Sequence, residues 1–481
     1  MKLVKVTVHG YRRFKNKSTM NVDGRIVAIV GSNEAGKSSF LKALHRFNET
    51  KPFIESGSYQ ELSREANIES DQKIIEATFL LEESDKQAIE HIPEAKFVRL
   101  INFYRHKDGK SWMSHLPPFS RNIEFRKNLA EHMRDFLADT RITSLDISEH
   151  LVIEEIENII PQIDIDTETL SADFLNKLSD LPSKLQSLIV DSDAEYIHNL
   201  PEQLSELIEH EKKDRPTQLS SNILFNRIPK FLFFDDDSRL LQSAYTLDNA
   251  ADSYPSALQN LIRVAELNLD ELINNIKSDN YGKVESLIET ANEVLVNNLS
   301  KIWSQSGITV RLRADGDKLK ILVKDANTTY VPIAERSDGL RQFVALVSFV
   351  TVEKSEILPI LLIDEAETHL HYDAQADFVQ MLTKQNIASK VIYTTHSIGC
   401  LPEDLGSGIR LIEPQNDGTS IINNWFWNST RQGFSPLLFG MGAMTLAYIP
   451  IRHALITEGA SDIILLPAIL REATKREFLG F

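Results

Sequence analysis

The chain has 481 residues, enough for about two to four domains, and 42% of them are hydrophobic, which is typical of a folded globular protein. No apolar run is long enough to span a bilayer and the start of the chain lacks the pattern of a signal peptide, so we expect a cytoplasmic protein. The single cysteine, Cys400, excludes an internal disulfide and a cysteine metal cluster, and the net charge of −17 argues against a surface that is basic all over.

Residues 31–38 lie between the second predicted strand and the first predicted helix and have the pattern of a phosphate-binding loop. Apolar residues at 4–8 and 25–30 predict two strands, and helical spacing predicts a helix over 38–47. The segment GSNEAGKS between them matches G-x-x-x-x-G-K-[ST] in the strand–loop–helix context that this pattern requires. Backbone N–H groups and the helix N-terminus would bind phosphate oxygens, Lys37 would reach the β and γ phosphates, and Ser38 would bind Mg²⁺.

Charge is distributed unevenly in the next part of the chain. Residues 94–127 carry 8 bases and 3 acids with aromatic residues among them, whereas residues 151–215 carry 16 acids and 5 bases. The first mixture is typical of a nucleic-acid surface. Alternation such as that at Phe97–Ile101 is also typical of half-buried strands with a solvated face, so both interpretations stay open.

A helical block follows two further predicted strands, at 73–81 and 97–105. Apolar residues recur at intervals of three or four from 126 to 305, apart from a short apolar strand at 229–235. Prolines interrupt this block too often for a long coiled coil. We therefore expect a compact helical domain.

Two acids follow a buried strand in the last third of the chain. Strands are predicted at 308–312, 319–323 and 329–333, then a helix at 339–354 and an apolar strand at 360–363. Asp364 and Glu365 come directly after this last strand, which is typical of a Walker B element. Asp364 would hold magnesium through water and Glu365 would orient or deprotonate the attacking water. Capping of the next helix is the alternative role for these acids.

The order of these motifs resembles that of ABC-type ATPases of the OLD (overcoming lysogenization defect) family. Residues 336–342, RSDGLRQ, resemble the variant signature motif of that family, and residues 394–397, TTHS, resemble the segment whose switch histidine, here His396, contacts the γ-phosphate. The opening segment GYRRF at 10–14 is similar to the start of these proteins, where a basic residue contacts the nucleotide.

The spacing of the motifs is also similar to that of this family. Lys37 and Ser337 are 300 residues apart, which is too far for an ABC transporter subunit and suits OLD, chromosome-maintenance and break-repair ATPases with an inserted arm. Gln60 and Gln72 are both candidates for the glutamine loop. The resemblance implies Glu365 and His396 as catalytic residues, and the predicted contacts with ATP and Mg²⁺ are Arg13, Gly31, Asn33, Gly36, Lys37, Ser38, Ser39, Ser337, Gly339 and Asp364.

The last segment resembles the start of a TOPRIM nuclease domain. A predicted strand at 454–457 is followed by Glu458 and Asp462, which the resemblance assigns to proton transfer and to metal binding. No Asp-x-Asp follows, although TOPRIM domains use one for Mg²⁺. We therefore expect the nuclease to be completed by a longer protein or by a partner chain. An ordinary strand followed by a helix N-terminus is the alternative.

The predicted fold is α/β, an ABC-type P-loop ATPase head with an inserted α-helical arm or dimerisation domain and a partial TOPRIM-like C-terminus. The predicted domains are an N-lobe at 1–125, the arm at 126–305, a C-lobe at 306–450 and the TOPRIM-like start at 451–481. The resemblance implies a homodimer or higher homo-oligomer that uses ATP to control a nuclease acting on nucleic acid in anti-phage defence. The alternatives are an architectural DNA tether and an ATPase that restrains a separate toxin or nuclease chain.

Overall fold

Two compact units make up the chain. The computed structural model describes residues 1–64, 68–69, 71–138, 147–188, 199–248, 253–302, 309–324, 329–352, 357–403, 408–425 and 460–474. The first unit, called the head below, consists of Met1–Phe79, Asn102–Trp112 and Pro229–Phe481. The second, called the helical unit, consists of Leu80–Ile101 and Met113–Ile228.

Strands and helices alternate along much of the described chain, which confirms the predicted mixed α/β class. The strands are β1 (Lys2–Val8), β2 (Ser18–Asn21), β3 (Ile26–Gly31), β4 (Lys73–Leu80), β5 (Leu100–His106), β6 (Ser111–Leu116), β7 (Phe231–Phe234), β8 (Ala244–Thr246), β9 (Thr309–Asp315), β10 (Lys318–Lys324), β11 (Val331–Pro332), β12 (Ile360–Ile363), β13 (Lys390–Thr394), β14 (Ile409–Pro414) and β15 (Ser420–Asn423). The helices are α1 (Lys37–His45), α2 (Glu83–Ala88), α3 (Glu124–Ala138), α4 (Ile147–Ile163), α5 (Ala172–Leu178), α6 (Leu181–Leu188), α7 (Leu200–Lys212), α8 (Pro216–Phe225), α9 (Ser256–Val264), α10 (Leu269–Lys277), α11 (Tyr281–Ile302), α12 (Asp338–Val352), α13 (Tyr372–Lys384) and α14 (Ala460–Thr474). None of the described helices is both long and apolar enough to cross a lipid bilayer.

A six-stranded sheet in the order β15-β14-β3-β13-β12-β7 forms the centre of the head. The strands from β14 to β7 are parallel, and β15 is antiparallel to β14. Every residue of β3, β12 and β13 is buried, which explains why parallel strands of this kind are almost continuously apolar in sequence. Because the carboxyl ends of parallel strands meet at one edge, the residues that follow β3, β12 and β13 lie close together.

Two smaller sheets complete the strand pairing. One has the order β2-β1-β4-β5-β6, and the other has the order β11-β10-β8, with β9 pairing along β10. The strands predicted at 73–81 and 97–105 correspond to β4 and β5. Asn292 of α11 lies at the free edge of β9, where its side chain accepts from Leu312 N at 2.7 Å and donates to Leu312 O at 2.9 Å. This side chain satisfies backbone groups that an edge strand otherwise leaves open.

The helical unit has its own apolar core and a buried cluster of charge. Leucine, isoleucine and phenylalanine side chains of α3 to α7 form the core. At its border Glu211 is 2% exposed and lies 3.3 Å from Arg121 and 3.6 Å from Arg126, whose side chains are 2% and 1% exposed. Leu170 N also donates to Glu211 Oε2 at 3.1 Å. Burial of a carboxylate is tolerated here because opposite charges and a backbone donor surround it.

The helical block predicted at 126–305 is divided between the two units. The chain returns to the head at Pro229, so α9, α10 and α11 do not belong to the helical unit. Their apolar residues pack in the head core, where Leu261 and Leu295 share one cluster with Val30 and Leu361. Hydrophobic periodicity predicts that a helix has a buried face, but it does not say which core that face contacts, and this accounts for the difference from the predicted boundary.

Candidate nucleotide-binding site

The phosphate loop joins β3 to α1 through residues with special backbone requirements. Gly36 has φ 101°, in the left-handed region that favours glycine, and α1 begins at the next residue, Lys37. A Cβ on Gly31 would lie 2.6 Å from Ile412 O in the neighbouring strand, so this position also requires glycine. Asn33 is exposed in the loop between them. The arrangement leaves the N-terminus of α1 facing the loop, as an anion site requires.

Lys37 lies inside the loop and bonds to its own backbone. Its Nζ donates to Gly31 O and Ser32 O, each at 3.0 Å, and the residue is 5% exposed. Burial lowers the pKa of Lys37 to about 8, although Glu367, Asp364 and Glu365 act in the opposite direction. A buried ammonium with only carbonyl partners is ready to exchange them for phosphate oxygens, which neutralise its charge.

Ser38 and Asp364 come together although they are far apart in sequence. Ser38 Oγ donates to Asp364 Oδ1 at 3.0 Å, and Thr394 Oγ1 donates to the same oxygen at 2.6 Å. A hydroxyl and a carboxylate are ligands that Mg²⁺ accepts when phosphate oxygens and water complete its coordination. Within the described ranges, no group of three or more His, Cys, Asp or Glu side chains is arranged to hold a metal ion. The donors present therefore fit a magnesium ion shared with a nucleotide.

Glu365 has an unusual backbone conformation for a residue with a side chain. Its φ is 48°, and its N donates to Thr394 Oγ1 at 2.7 Å. The side chain is exposed and accepts from Thr368 Oγ1 at 3.4 Å. Positive φ at a non-glycine residue is uncommon and persists where the surroundings impose it. An exposed carboxylate next to Asp364, a predicted magnesium ligand, is available to bind water.

His396 follows β13 and is held by an acid that the sequence analysis missed. Its backbone N donates to Glu367 Oε1 at 2.6 Å. Burial, and secondarily the charge of Lys37, lower the pKa of His396, so the ring is neutral at physiological pH. Glu367 stands two residues after Glu365, and a third acid so close to a Walker B pair is the signal that could have identified it.

Ser337 and Gly339 form the beginning of α12. Ser337 is exposed and its Oγ accepts from Leu340 N at 3.3 Å, which caps the helix. A Cβ on Gly339 would lie 2.9 Å from Ala374 O in α13, so a side chain at this position would separate the two helices. The predicted signature motif therefore lies at the N-terminus of α12, with Ser337 exposed and Gly339 buried.

A cavity of about 390 Å³ lies beside the phosphate loop. Arg13 and Ser39 line it, as does Gln60, whereas Gln72 bonds to His9 at 3.2 Å and does not line it. Arg13 is also 3.8 Å from Glu34 of the loop. Of the two glutamine-loop candidates, Gln60 is thus the one at a cavity next to the predicted nucleotide contacts.

Arg239 is a further buried residue of the site that no sequence motif indicated. It is 1% exposed, and its guanidinium donates to Glu365 O at 2.9 Å, to Phe234 O at 3.3 Å and to Asp364 O. These carbonyls lie at the carboxyl ends of β7 and β12, which are adjacent in the central sheet. Arg239 therefore bonds to the backbone of both predicted Walker B acids.

The TOPRIM-like residues are only partly within the described chain. Glu458 lies outside the described residues. Asp462 lies in the first turn of α14, a helix that continues through Leu466 and Leu470 as expected. The nuclease assignment of both residues stays a prediction.

The basic segment 94–127 does not form one exposed surface. Arg105 is 3% exposed and its Nε donates to Phe47 O at 3.1 Å, while Arg121 and Arg126 are buried against Glu211. The interpretation of these three arginines as a nucleic-acid surface is wrong. Composition does not separate bases that satisfy buried oxygens from bases that face solvent.

Comparison with known proteins adds one family match. The model of the AAA ATPase domain matches residues 1–401. An uncharacterized protein of Methanocaldococcus jannaschii is 40% identical over 85 residues, which is 18% of this chain and 25% of that protein, so the chain spans about a quarter of this relative.

Solved structures with similarity to the chain include two SMC head domains. The SMC head domain of Thermotoga maritima is 13% identical with a TM-score of 0.38, covering 88% of this chain and 99% of that one. A Pyrococcus furiosus Smc head with an extended coiled coil, bound to the C-terminal domain of ScpA, is 13% identical with a TM-score of 0.35, covering 88% and 96%. On the strength of the family match, which includes the phosphate loop, the Walker B acids and His396, this chain belongs to the AAA ATPase domain family.

Proposed function

We propose that the head binds ATP with Mg²⁺ and hydrolyses it to switch the activity of a nuclease. The observation that carries the ATPase part is the 3.0 Å hydrogen bond between Ser38 of the phosphate loop and Asp364 of the Walker B strand. It joins the two elements at the edge of the central sheet where a nucleotide and a metal ion are bound together in P-loop enzymes.

Each residue of the site has a distinct role in this proposal. Lys37 and the backbone N–H groups of the loop bind the phosphates, and Ser38 and Asp364 hold Mg²⁺, which neutralises charge on the phosphate oxygens. Glu365 orients or deprotonates the attacking water. Neutral His396 donates a hydrogen bond toward the γ-phosphate, in a position fixed by Glu367.

We further propose that two copies of the head share their sites. Ser337 is exposed at the N-terminus of α12, which is a position from which it can bind the phosphate of a second copy, whereas Gly339 is buried and lets α12 pack closely on α13. Mixing Lys37→Ala chains with Ser337→Arg chains then restores about one working site per pair, while each variant alone is inactive. Normal ATP turnover by either single variant would contradict shared sites.

We propose that the output of the switch is a TOPRIM-type nuclease, which starts within residues 451–481 with Glu458 and Asp462 and is completed by a longer protein or by a partner chain. The chain ending at Phe481 is expected to hydrolyse ATP without nicking DNA in Mg²⁺ or Mn²⁺. The completed protein or complex is expected to cut, and Glu458→Ala is expected to abolish cutting while ATP turnover continues.

Two results would reject the nuclease proposal. The first is robust cleavage by the 481-residue chain alone, because no Asp-x-Asp follows Glu458 in this sequence and such chemistry needs several carboxylates. The second is full cleavage by the Glu458→Ala complex. DNA bridging without any cleavage would instead favour the architectural tether.

A further inference from the structure

Glu365 occupies a backbone conformation that the side chain itself does not favour. Its φ of 48° is in the left-handed region, where a non-glycine residue persists only if its surroundings hold it. Three hydrogen bonds do so, one of which is the turn bond that Thr368 N donates to Glu365 O at 3.0 Å. Glu365 N donates to Thr394 Oγ1 at 2.7 Å, and Glu365 O accepts from Arg239 Nη1 at 2.9 Å. Both backbone polar groups of the residue are therefore fixed by side chains from other parts of the head.

Arg239 is itself firmly held. It is 1% exposed, and its second terminal nitrogen donates to Phe234 O at 3.3 Å and to Asp364 O. Phe234 is the last residue of β7 and is paired with Ile363 at the end of β12. A planar guanidinium reaches several carbonyls at fixed angles, which a lysine ammonium on a flexible stem does not reproduce. The site thus contains a rigid connection from β7 to the backbone of Glu365.

We infer that Arg239 is a positioning residue for ATP hydrolysis, which holds the backbone of Glu365 so that its carboxylate meets the attacking water. This inference rests on the proposed ATPase function and extends it to a segment outside every recognised motif. Arg239 touches neither the nucleotide nor the water in this account. It acts through the backbone of Glu365.

The test compares Arg239→Lys with a matched control, Arg410→Lys. Arg410 is also 1% exposed in the head, and it donates to Asn21 O at 2.9 Å and to Ile409 O at 2.7 Å, which are not part of the Walker B element. Both changes disturb a buried guanidinium bonded to carbonyls, and Arg410 in addition forms an ion pair with Asp23 at 2.7 Å. Thermal unfolding sets a temperature at which wild type and both variants are folded, and ATP affinity and kcat are measured there.

Arg239→Lys is expected to bind ATP within about twofold of wild type and to lose kcat by about tenfold to 10²-fold, since small displacements of a catalytic group have effects on that order. Arg410→Lys is expected to keep kcat within about twofold. If Arg239→Lys does not give folded protein, Arg239→Gln, which keeps one amide donor, takes its place. Equal kcat in wild type and the folded Arg239 variant would overturn the inference.

A double variant separates positioning from a general loss of structure. If Arg239 acts through Glu365, adding Arg239→Lys to Glu365→Gln slows turnover by less than about twofold further, because the group being positioned is already absent. A further loss as large as in the wild-type background would overturn the inference. Absence of turnover in the wild-type chain would reject the proposed function and, with it, the inference. Normal turnover in wild type with an equal kcat in the folded Arg239 variant would reject the inference alone.

Discussion

The head and the helical unit each contain a buried charged side chain, but the two units differ in how far the protein compensates that charge. In the helical unit Glu211 is enclosed by Arg121, Arg126 and a backbone N–H, so its charge is compensated within the protein. In the head, Lys37 has carbonyl partners and a pKa lowered to about 8, and Glu365, which follows strand β12, is exposed. Compensated charge stabilises a fold, whereas incompletely compensated charge is available to a ligand.

The largest expected effect tests whether Glu365, the exposed acid of the head, takes part in ATP hydrolysis. Glu365→Gln keeps the size of the side chain and the contacts of Lys37 and Ser38, but removes the group that orients or deprotonates water. We expect ATP binding to persist and kcat to fall by about 10² to 10⁴. Radiometric or coupled ATPase assays measure this directly. Unchanged turnover would mean that water is activated elsewhere, for example by His396.

The next effect tests whether Glu211, the buried acid of the helical unit, stabilises the fold of that unit. Glu211→Gln leaves two buried arginines without their carboxylate, and breaking a buried pair in this way costs about 3–5 kcal/mol. Hydrogen exchange measured by mass spectrometry is expected to rise in the helical unit. Glu209→Gln is the control on the same helix, because Glu209 is exposed and its pairing with Lys212 at 3.2 Å contributes at most about 1 kcal/mol. Similar losses from both variants would contradict the comparison.

Much of the nucleotide site could be predicted because its signals are local. The phosphate loop, the acids after β12 and His396 each follow a buried strand within a few residues, and the family match confirms the P-loop ATPase assignment. Arg239 could not be predicted in this way. Its acceptor Glu365 O is 126 residues distant in the chain. Because every residue has a backbone carbonyl, the sequence does not show which carbonyl accepts a hydrogen bond from Arg239. The same reasoning explains why Arg105 looked like a surface base.

A smaller effect concerns the pH dependence of nucleotide binding. The pKa of Lys37 in the free protein is lowered to about 8, whereas phosphate binding requires the protonated ammonium. Affinity is therefore retained below pH 8 and falls as the pH rises above it. Between pH 7 and pH 9 the Kd for ATP is expected to rise by about tenfold.

Calorimetry in the Glu365→Gln background measures this Kd without hydrolysis. Lys37→Arg is the control, since a guanidinium stays protonated throughout this range. Its Kd should be nearly independent of pH. A flat profile for Lys37 itself would show that the ammonium is not deprotonated in the free site.

The smallest effects test whether the two units lose stability separately. Ser171 caps α5 of the helical unit by accepting from Phe174 N at 3.3 Å, and Asn268 caps α10 of the head by accepting from Glu271 N at 3.0 Å. Replacing either by alanine is expected to cost about 1 kcal/mol. Hydrogen exchange should increase near α5 in the first variant and near α10 in the second. An increase across both units from either change would show that the units unfold together.

The order of strands in the central sheet has a consequence for biosynthesis. Strand β3 carries the phosphate loop, but its neighbours β13 and β14 pair with it through residues more than 350 positions later in the chain. At about 5–20 residues per second, the ribosome needs on the order of 20–70 s between making β3 and making these partners. The helical unit ends at Ile228 and is complete in the nascent chain well before that time. Strand β3, which is synthesised early, is therefore among the last strands to pair with its native neighbours. During that interval this apolar strand depends on chaperones or on transient contacts to remain soluble.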